Sequence, residues 1–248
     1  MQPSTNSVQL LAHRGYAARY PENTREAISA AVAAGATMVE FDVQLTRDRV
    51  PILLHDADFA RTGGNRASVM DLDYAQTESI TVEEPDKFGD AFAGIRAPRL
   101  AEVVDDLAGW EHVTAFVELK RHSLERFGID AVLDAVIPVL EPVIDQCVLI
   151  SFNADVLYAA KQRLPIPTGW ALRRYDQASR RLAEDLSPDY LFCNQTRLPF
   201  GSGSLWQGPW DWAVYEIVDP QAARDLAARG VAVIETKDYA GMALALRD

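Results

Sequence analysis

Seven residues in the first half of the chain have the types and the spacing for proton transfer around a phosphate. His13-Arg14 follows an apolar run, Glu40 and Asp42 stand two apart in a second, His55 closes a third, and Glu118 and Lys120 stand two apart in a fourth. Side chains two apart on a strand share a face, so each of these pairs points one way. Three carboxylates aimed together raise one another's pKa unless a cation holds them. All-oxygen ligation suits a hard ion such as Mg²⁺ or Ca²⁺ rather than zinc. Such a cation on three carboxylates leaves a single negative charge, and Arg14 and Lys120 then make the site attractive to an anion such as a phosphodiester. Ion pairing with Arg14 and Lys120 alone would leave the three carboxylates under-neutralised. Two histidines complete the chemistry near neutral pH: one takes the proton of an attacking hydroxyl or water, and the other protonates the leaving alkoxide.

The elements that must position these groups alternate in type. Strand-length apolar runs cover Val8 to Ala12, Met38 to Asp42, Thr114 to Leu119, Gln146 to Ser151, Pro167 to Ala171, Tyr190 to Cys193, Trp212 to Ile217 and Val231 to Glu235. Several are continuously hydrophobic, as parallel strands covered by helices must be. Helical patterns fill most gaps: one from Asn23-Thr24 to near Gly35, then Ala101 to Leu107, Ile129 to Leu140, Ala154 to Leu164, Ser179 to Leu186 and Gln221 to Arg229. Asn23 or Thr24 caps the first, and Asn23 also lies near the site. Eight such units in this length predict an α/β fold, a (β/α)₈ TIM barrel in a single domain over residues 1–248. A doubly wound open sheet shares the alternation, because periodicity does not report closure.

Two segments depart from plain alternation. Between Asp42 and His55 there is no room for a helix, and a turn near Asp48 predicts a hairpin that brings His55 level with Phe41, close to Glu40 and Asp42. Residues 56–99, rich in Gly, Asp and Thr, read as an inserted lobe after the second strand and its hairpin. Within it, the charged stretch Thr81 to Asp90 reads as solvated.

Composition narrows the function classes. With 36 acidic and 24 basic residues the formal charge is −12, which argues against a nucleic-acid coat or a polybasic membrane anchor. No apolar run approaches the roughly 20 residues of a membrane span, and Met1 to Ser7 lacks the basic start and apolar stretch of a signal peptide, so a cytoplasmic location is expected. Cys147 and Cys193 lie in apolar runs and read as buried thiols. Gly201-Ser202-Gly203-Ser204 precedes Leu205, lacks the Lys-Ser/Thr of a phosphate-binding loop and reads as a flexible loop. Trp206, Trp210, Trp212 and Tyr215 read first as barrel packing, with a cation–π wall for a choline-like alcohol as the other reading. His112 and His122 have no partner pattern, although His122 stands two residues beyond Lys120.

Taken in order, His13-Arg14-Gly15, Pro21-Glu22-Asn23-Thr24 with Glu26, Glu40-Phe41-Asp42-Val43, Thr46-Arg47-Asp48, His55-Asp56, Arg61-Thr62, Leu100 with Glu102, and Glu118-Leu119-Lys120 resemble the glycerophosphodiester phosphodiesterases. Ser151-Phe152 and Gly230-Val231 extend a weaker match to the end. The resemblance implies a barrel of the phosphatidylinositol-phospholipase-C-like type, a divalent metal on Glu40, Asp42 and Glu118, and His13 and His55 as the acid–base pair. It likewise implies Arg14 and Lys120 at the phosphate, and hydrolysis of a small-molecule diester to an alcohol and glycerol 3-phosphate, a reaction of lipid and glycerol metabolism. Two positions depart from the family pattern: Tyr215-Glu216-Ile217-Val218-Asp219 replaces Trp-Thr-Val-Asn, and Thr236-Lys237 replaces Thr-Asp. An extra carboxylate at Glu216 bears on which alcohol is accepted. The same chemistry on a lysophospholipid or sugar phosphodiester, and a catalytically silent phosphodiester-binding barrel, are the alternative readings.

Overall fold

The apolar runs pair edge to edge into a closed ring. The structure, a computed structural model, describes residues 8–199 and 204–247; the reading of Met1 to Ser7 and that of Gly201 to Gly203 lie outside them. Eight parallel strands, β1 (Gln9–His13), β2 (Met38–Leu45), β3 (Thr114–Leu119), β4 (Cys147–Ser151), β5 (Thr168–Ala171), β6 (Tyr190–Asn194), β7 (Asp211–Tyr215) and β8 (Val233–Thr236), follow one another around the barrel. Closure comes from β1, which pairs with β8 at Leu11↔Glu235 and with β2 at His13↔Glu40. That double pairing excludes the open sheet.

Both faces of the strands are covered. All eight residues of β2 are buried. The helix Arg25–Ala33 is capped by Thr24, whose hydroxyl accepts from the Ala27 amide, and it packs Ala27, Ile28 and Ala31 inward. Helices Leu100–Leu107, Ile129–Leu140, Ala154–Arg163, Gln177–Leu186, Pro220–Ala228 and Tyr239–Ala245 continue the outer layer. Inside the ring a separate apolar plug contains Leu11, Met38, Phe116, Ile150, Phe192 and Val233. Phe116 meets the rings of Tyr190 and Phe192 edge-on, with centroids 5.0 and 5.9 Å away. The alternation of strand side chains then has a direct consequence: two residues further along β1, β2, β3 and β8, the same inward face carries His13, Glu40, Glu118 and Glu235.

The hairpin forms as its length demands. Pro51–Leu53 runs antiparallel to β2 with Val43↔Leu53 and Leu45↔Pro51, and Leu54 donates to the Asp42 carbonyl at 3.0 Å. The same register puts His55 opposite Phe41. Residues 56–99 then build a two-stranded sheet, Asp58–Phe59 with Asn65–Ser68. Phe59, Val69, Met70, Ile80, Val82 and Ala97 form an apolar cluster of their own with Ile52 and Leu54. The stretch Thr81 to Asp90 is not simply solvated: Glu84 is buried and accepts the Glu22 amide at 2.6 Å. A buried loop amide requires such an acceptor.

The aromatic cluster packs. Trp206 stacks on Tyr175 at 4.0 Å, Trp212 donates its indole N–H to the Trp206 carbonyl at 2.9 Å, and Trp210 is buried. Cys147 and Cys193 are free, buried thiols, each pushed by burial to about 12. Among the described residues no helix is long and apolar enough to cross a membrane. Because Phe116 closes the floor beneath the polar end of the barrel, Phe116→Ala is expected to cost about 3–5 kcal/mol through lost burial and a residual cavity. Urea unfolding reads that directly, and a loss under about 1 kcal/mol would show that the plug is not tightly packed.

Candidate active site

The turn leaving β1 sets the first part of the site. Arg14 and Gly15 have φ of 56° and 76°. A Cβ on Gly15 would lie 2.5 Å from the Ala27 carbonyl carbon, so the close approach of this turn to the first helix requires glycine. With the chain turned this way, the Arg14 amide donates to Glu40 Oε2 at 3.0 Å. Its guanidinium lies between two acids, Nη1 2.7 Å from Glu22 Oε1 and Nε 3.1 Å from Asp42 Oδ2.

Asp42 is the most heavily compensated acid of the group. Lys120 Nζ is 2.9 Å from its Oδ1, and Asn23 donates to Oδ2 at 2.8 Å while accepting the Asp42 amide at 2.9 Å. Burial opposes its ionisation, but Lys120 and Arg14 outweigh burial and hold the carboxyl well below the usual range. Lys120 also donates to Glu118 Oε1 at 2.7 Å. Glu118 is nevertheless pushed up, by burial first and then by the Asp42 charge. Glu40 is pushed up by burial and by Asp42, and its Oε1 is buried without a hydrogen-bond partner among the described residues.

These acids fit a hard divalent cation. Glu40, Asp42 and Glu118 each place an oxygen within 4.8 Å of the others. A buried, unpartnered oxygen among carboxylates driven toward protonation is what a missing positive charge produces. A second group, His13, Glu40 and Glu235, is equally compact but includes an imidazole nitrogen.

Sequence reasoning missed Glu235. Buried at the end of β8, it lies 3.8 Å from His13 Nε2, and burial followed by Glu118 pushes its carboxyl well up. The signal was present: inward-facing Val233 is two residues back, so Glu235 must share its face. His13 Nε2 is also 3.8 Å from Glu40, and its Nδ1 is 3.6 Å from Glu216, which pairs with Lys237 at 2.9 Å.

The second histidine is held from outside the barrel. His55 Nδ1 lies 2.6 Å from Asp56 Oδ1. The His55 hydrogen bond, outweighing partial burial and helped by Arg61, holds the Asp56 carboxyl low and ionised. Nδ1 is therefore the donor in this contact, which leaves Nε2 free for other partners. Arg61 joins Asp56 Oδ2 at 2.8 Å to Glu22 Oε1 at 2.6 Å, and Glu22 holds Arg14. Gln44 donates to the His55 and Asp56 carbonyls, and its own carbonyl accepts from Ser123 at 2.6 Å.

All seven predicted residues meet at the carboxyl end of the barrel. His13, Arg14, His55, Glu118 and Lys120 line one cavity together with Phe152, Phe192, Tyr215, Glu216 and Glu235. Glu40 and Asp42 are buried beside them. His112 is exposed and His122 is half-buried beside a neighbouring pocket. This arrangement gathers two histidines, a guanidinium and an ammonium around one cavity, next to acids that could hold a cation.

The profile of the "Glycerophosphoryl diester phosphodiesterase family" matches residues 13–233. The chain is 30% identical over 155 residues to mouse "Glycerophosphodiester phosphodiesterase 1", covering 62% of this chain and 46% of that protein. It is 35% identical over 121 residues to a "Glycerophosphodiester phosphodiesterase" of Caldanaerobacter subterraneus, covering 49% of each. The chain thus spans about half the length of these relatives. Among solved structures, an Oleispira antarctica phosphodiesterase in complex with the product sn-glycerol-3-phosphate superposes with a TM-score of 0.83 at 23% identity, covering 97% of both chains, which shows a shared fold.

His13 generates a pH prediction. Burial, and then the Arg14 charge, hold its pKa well below 6.5. Its imidazole is thus expected to give the nitrogen shifts of the neutral ring at pH 6, where an exposed histidine is largely protonated. Below about pH 6.5 the unfolded chain takes up this proton first, so His13 lowers stability as pH falls. A ring fully protonated at pH 6 by ¹⁵N NMR would contradict this reading.

Proposed function

This chain belongs to the glycerophosphoryl diester phosphodiesterase family, and from that membership we propose that it hydrolyses glycerophosphodiesters to an alcohol and glycerol 3-phosphate with a divalent cation and a histidine pair. The observation that carries the proposal is one cavity lined by both His13 and His55, with Arg14, Lys120 and the half-buried Glu118, beside the buried carboxylates of Glu40 and Asp42, a trio of acids close enough to share one cation. Glu40, Asp42 and Glu118 are the ligands in this reading, and Mg²⁺ or Ca²⁺ bound there supplies positive charge that polarises the phosphate.

The chain's own groups divide the remaining work. Arg14 and Lys120 attract the nonbridging oxygens and offset charge as the pentacoordinate phosphorus develops. His13, kept neutral by burial, accepts the proton of the attacking hydroxyl, whether that belongs to the substrate or to water. His55 delivers a proton to the departing alkoxide, and Asp56 orients its ring and balances its charge. Glu216, beside His13 in the same cavity, accepts hydrogen bonds from the glycerol hydroxyls.

Residues 1–248 act in this proposal as one catalytic domain, with 56–99 as an inserted lobe. Three contacts support that role: Asp56 on His55, Arg61 on Glu22, and Glu84 on the Glu22 amide. A lysophospholipid requires a large apolar mouth, whereas the opening beyond His55 carries Arg121, Arg173 and Arg197. The two free thiols support a reducing, cytoplasmic compartment.

Purified protein is expected to release glycerol 3-phosphate from glycerophosphocholine and glycerophosphoethanolamine with Mg²⁺, Ca²⁺ or Mn²⁺, and to lose this on chelation. His13→Ala and His55→Ala should each reduce turnover at least about a hundredfold while melting normally. Unchanged turnover in either variant removes that histidine from the mechanism. Metal affinity measured by calorimetry should rise with pH, because Glu40 and Glu118, both pushed up, must shed protons to ligate. Glu118→Gln should weaken that affinity at least tenfold, and wild-type affinity in this variant would reject Glu118 as a ligand.

A further inference from the structure

A second pocket adjoins the catalytic cavity on the His55 side and shares His55, Glu118, Lys120 and Phe152 with it. Its distinguishing residues are Arg121, His122, Arg173 and Arg197. Only two acids line it, and both are already committed: Asp56 to His55 and Arg61, Glu118 to Lys120. The arginines are positioned mainly by neutral groups. Arg173 lies 5.9 Å over the Phe152 ring, and Arg197 donates to the Leu172 carbonyl at 2.9 Å. Among the described residues neither makes an ion pair. Arg121 has only a long contact with Glu125, 3.4 Å away and one helical turn along.

In a chain of formal charge −12, three arginines line one pocket, two of them with no ion pair among the described residues, and they form a local field of the opposite sign. In the proposed reaction, in which His55 protonates the departing alkoxide, that field lies on the side of the departing half of the substrate. The catalytic cavity also carries Glu216 and Glu235, and its cations Arg14 and Lys120 are already paired with Glu22, Asp42 and Glu118, so it suits a neutral polyol better than a second anion. The pocket beyond His55 has the reverse preference, since guanidinium forks take up carboxylate or phosphate oxygens in pairs and repel an ammonium.

We propose that the departing alcohol of the preferred substrate carries an anionic group of its own, a carboxylate or phosphate, bound by Arg173 and Arg197 in the pocket beside His55. The proposal rests on the phosphodiesterase reading and adds the class of alcohol. It makes a choline-like alcohol the poorer substrate, since its quaternary ammonium would enter a field of like charge.

Two matched pairs of substrates test it. Glycerophosphoserine differs from glycerophosphoethanolamine by one carboxylate, and glycerophosphoinositol 4-phosphate differs from glycerophosphoinositol by one phosphate. In at least one pair, kcat/KM for the more anionic member is expected to exceed that of its partner about tenfold, with the advantage shrinking as salt rises. The double variant Arg173→Ser with Arg197→Ser should abolish the advantage and leave glycerophosphoethanolamine turnover within about twofold of wild type. The pair that responds identifies carboxylate or phosphate as the recognised group. Equal kcat/KM within both pairs, or a preference that survives in the double variant, overturns the proposal while leaving the phosphodiesterase reading intact. Absence of glycerol 3-phosphate from all four diesters overturns that reading, and this inference with it.

Discussion

Four carboxylates, Glu40, Asp42, Glu118 and Glu235, are buried or nearly so at one end of the barrel interior, and the need to compensate them governs much of what surrounds them. An ionised carboxylate taken out of water is tolerated only with charge partners and hydrogen bonds. The apolar plug of Phe116, Ile150 and Phe192 offers neither, so compensation has to come from the rim. Arg14, Lys120 and Asn23 converge there, and all three meet on Asp42. Glu40 and Glu235 are left driven toward protonation. A cation held there, as proposed, would turn an electrostatic burden into a means of holding phosphate.

The outer ring of charges does a different task. Arg14, Glu22, Arg61 and Asp56 form a continuous chain of ion pairs from the exit of β1 to His55. Because Asp56 and Arg61 belong to the segment that follows the hairpin, ring orientation at His55 depends on that segment's packing. Gln44 and Ser123 brace the same histidine from the barrel wall. The two histidines are therefore held by different means: His13 by burial among inward-facing strand residues, His55 by a hydrogen-bonded scaffold at the surface. In the proposed reaction that difference suits His13 to accept a proton and His55 to deliver one.

Much of this was legible in the linear order of residues, for reasons that are local. A strand repeats every two residues, so Glu40 with Asp42 and Glu118 with Lys120 had to share faces. A short hairpin of known turn position had to bring His55 opposite Phe41, and the ladder from Val43↔Leu53 carries that register. The charged stretch around Glu84 was read less well, because charge predicts exposure only where no buried amide requires an acceptor. Glu235 was within reach of the same two-residue rule, but a carboxylate so distant along the chain from His13 does not announce the contact.

Strand identity, strand parity, hairpin register and the residue types of the chemistry are properties of neighbouring positions, and they follow from backbone geometry and turn length alone. Whether the sheet closes is not such a property. Closure sets Leu11 beside Glu235 and His13 beside Glu40, and thereby creates one buried charge cluster from residues at opposite ends of the chain. The ion-pair chain from Arg14 to His55 and the meeting of Arg121, Arg173 and Arg197 in one pocket have the same origin. Electrostatic interactions act through space, so their partners are settled only once packing has brought distant segments together.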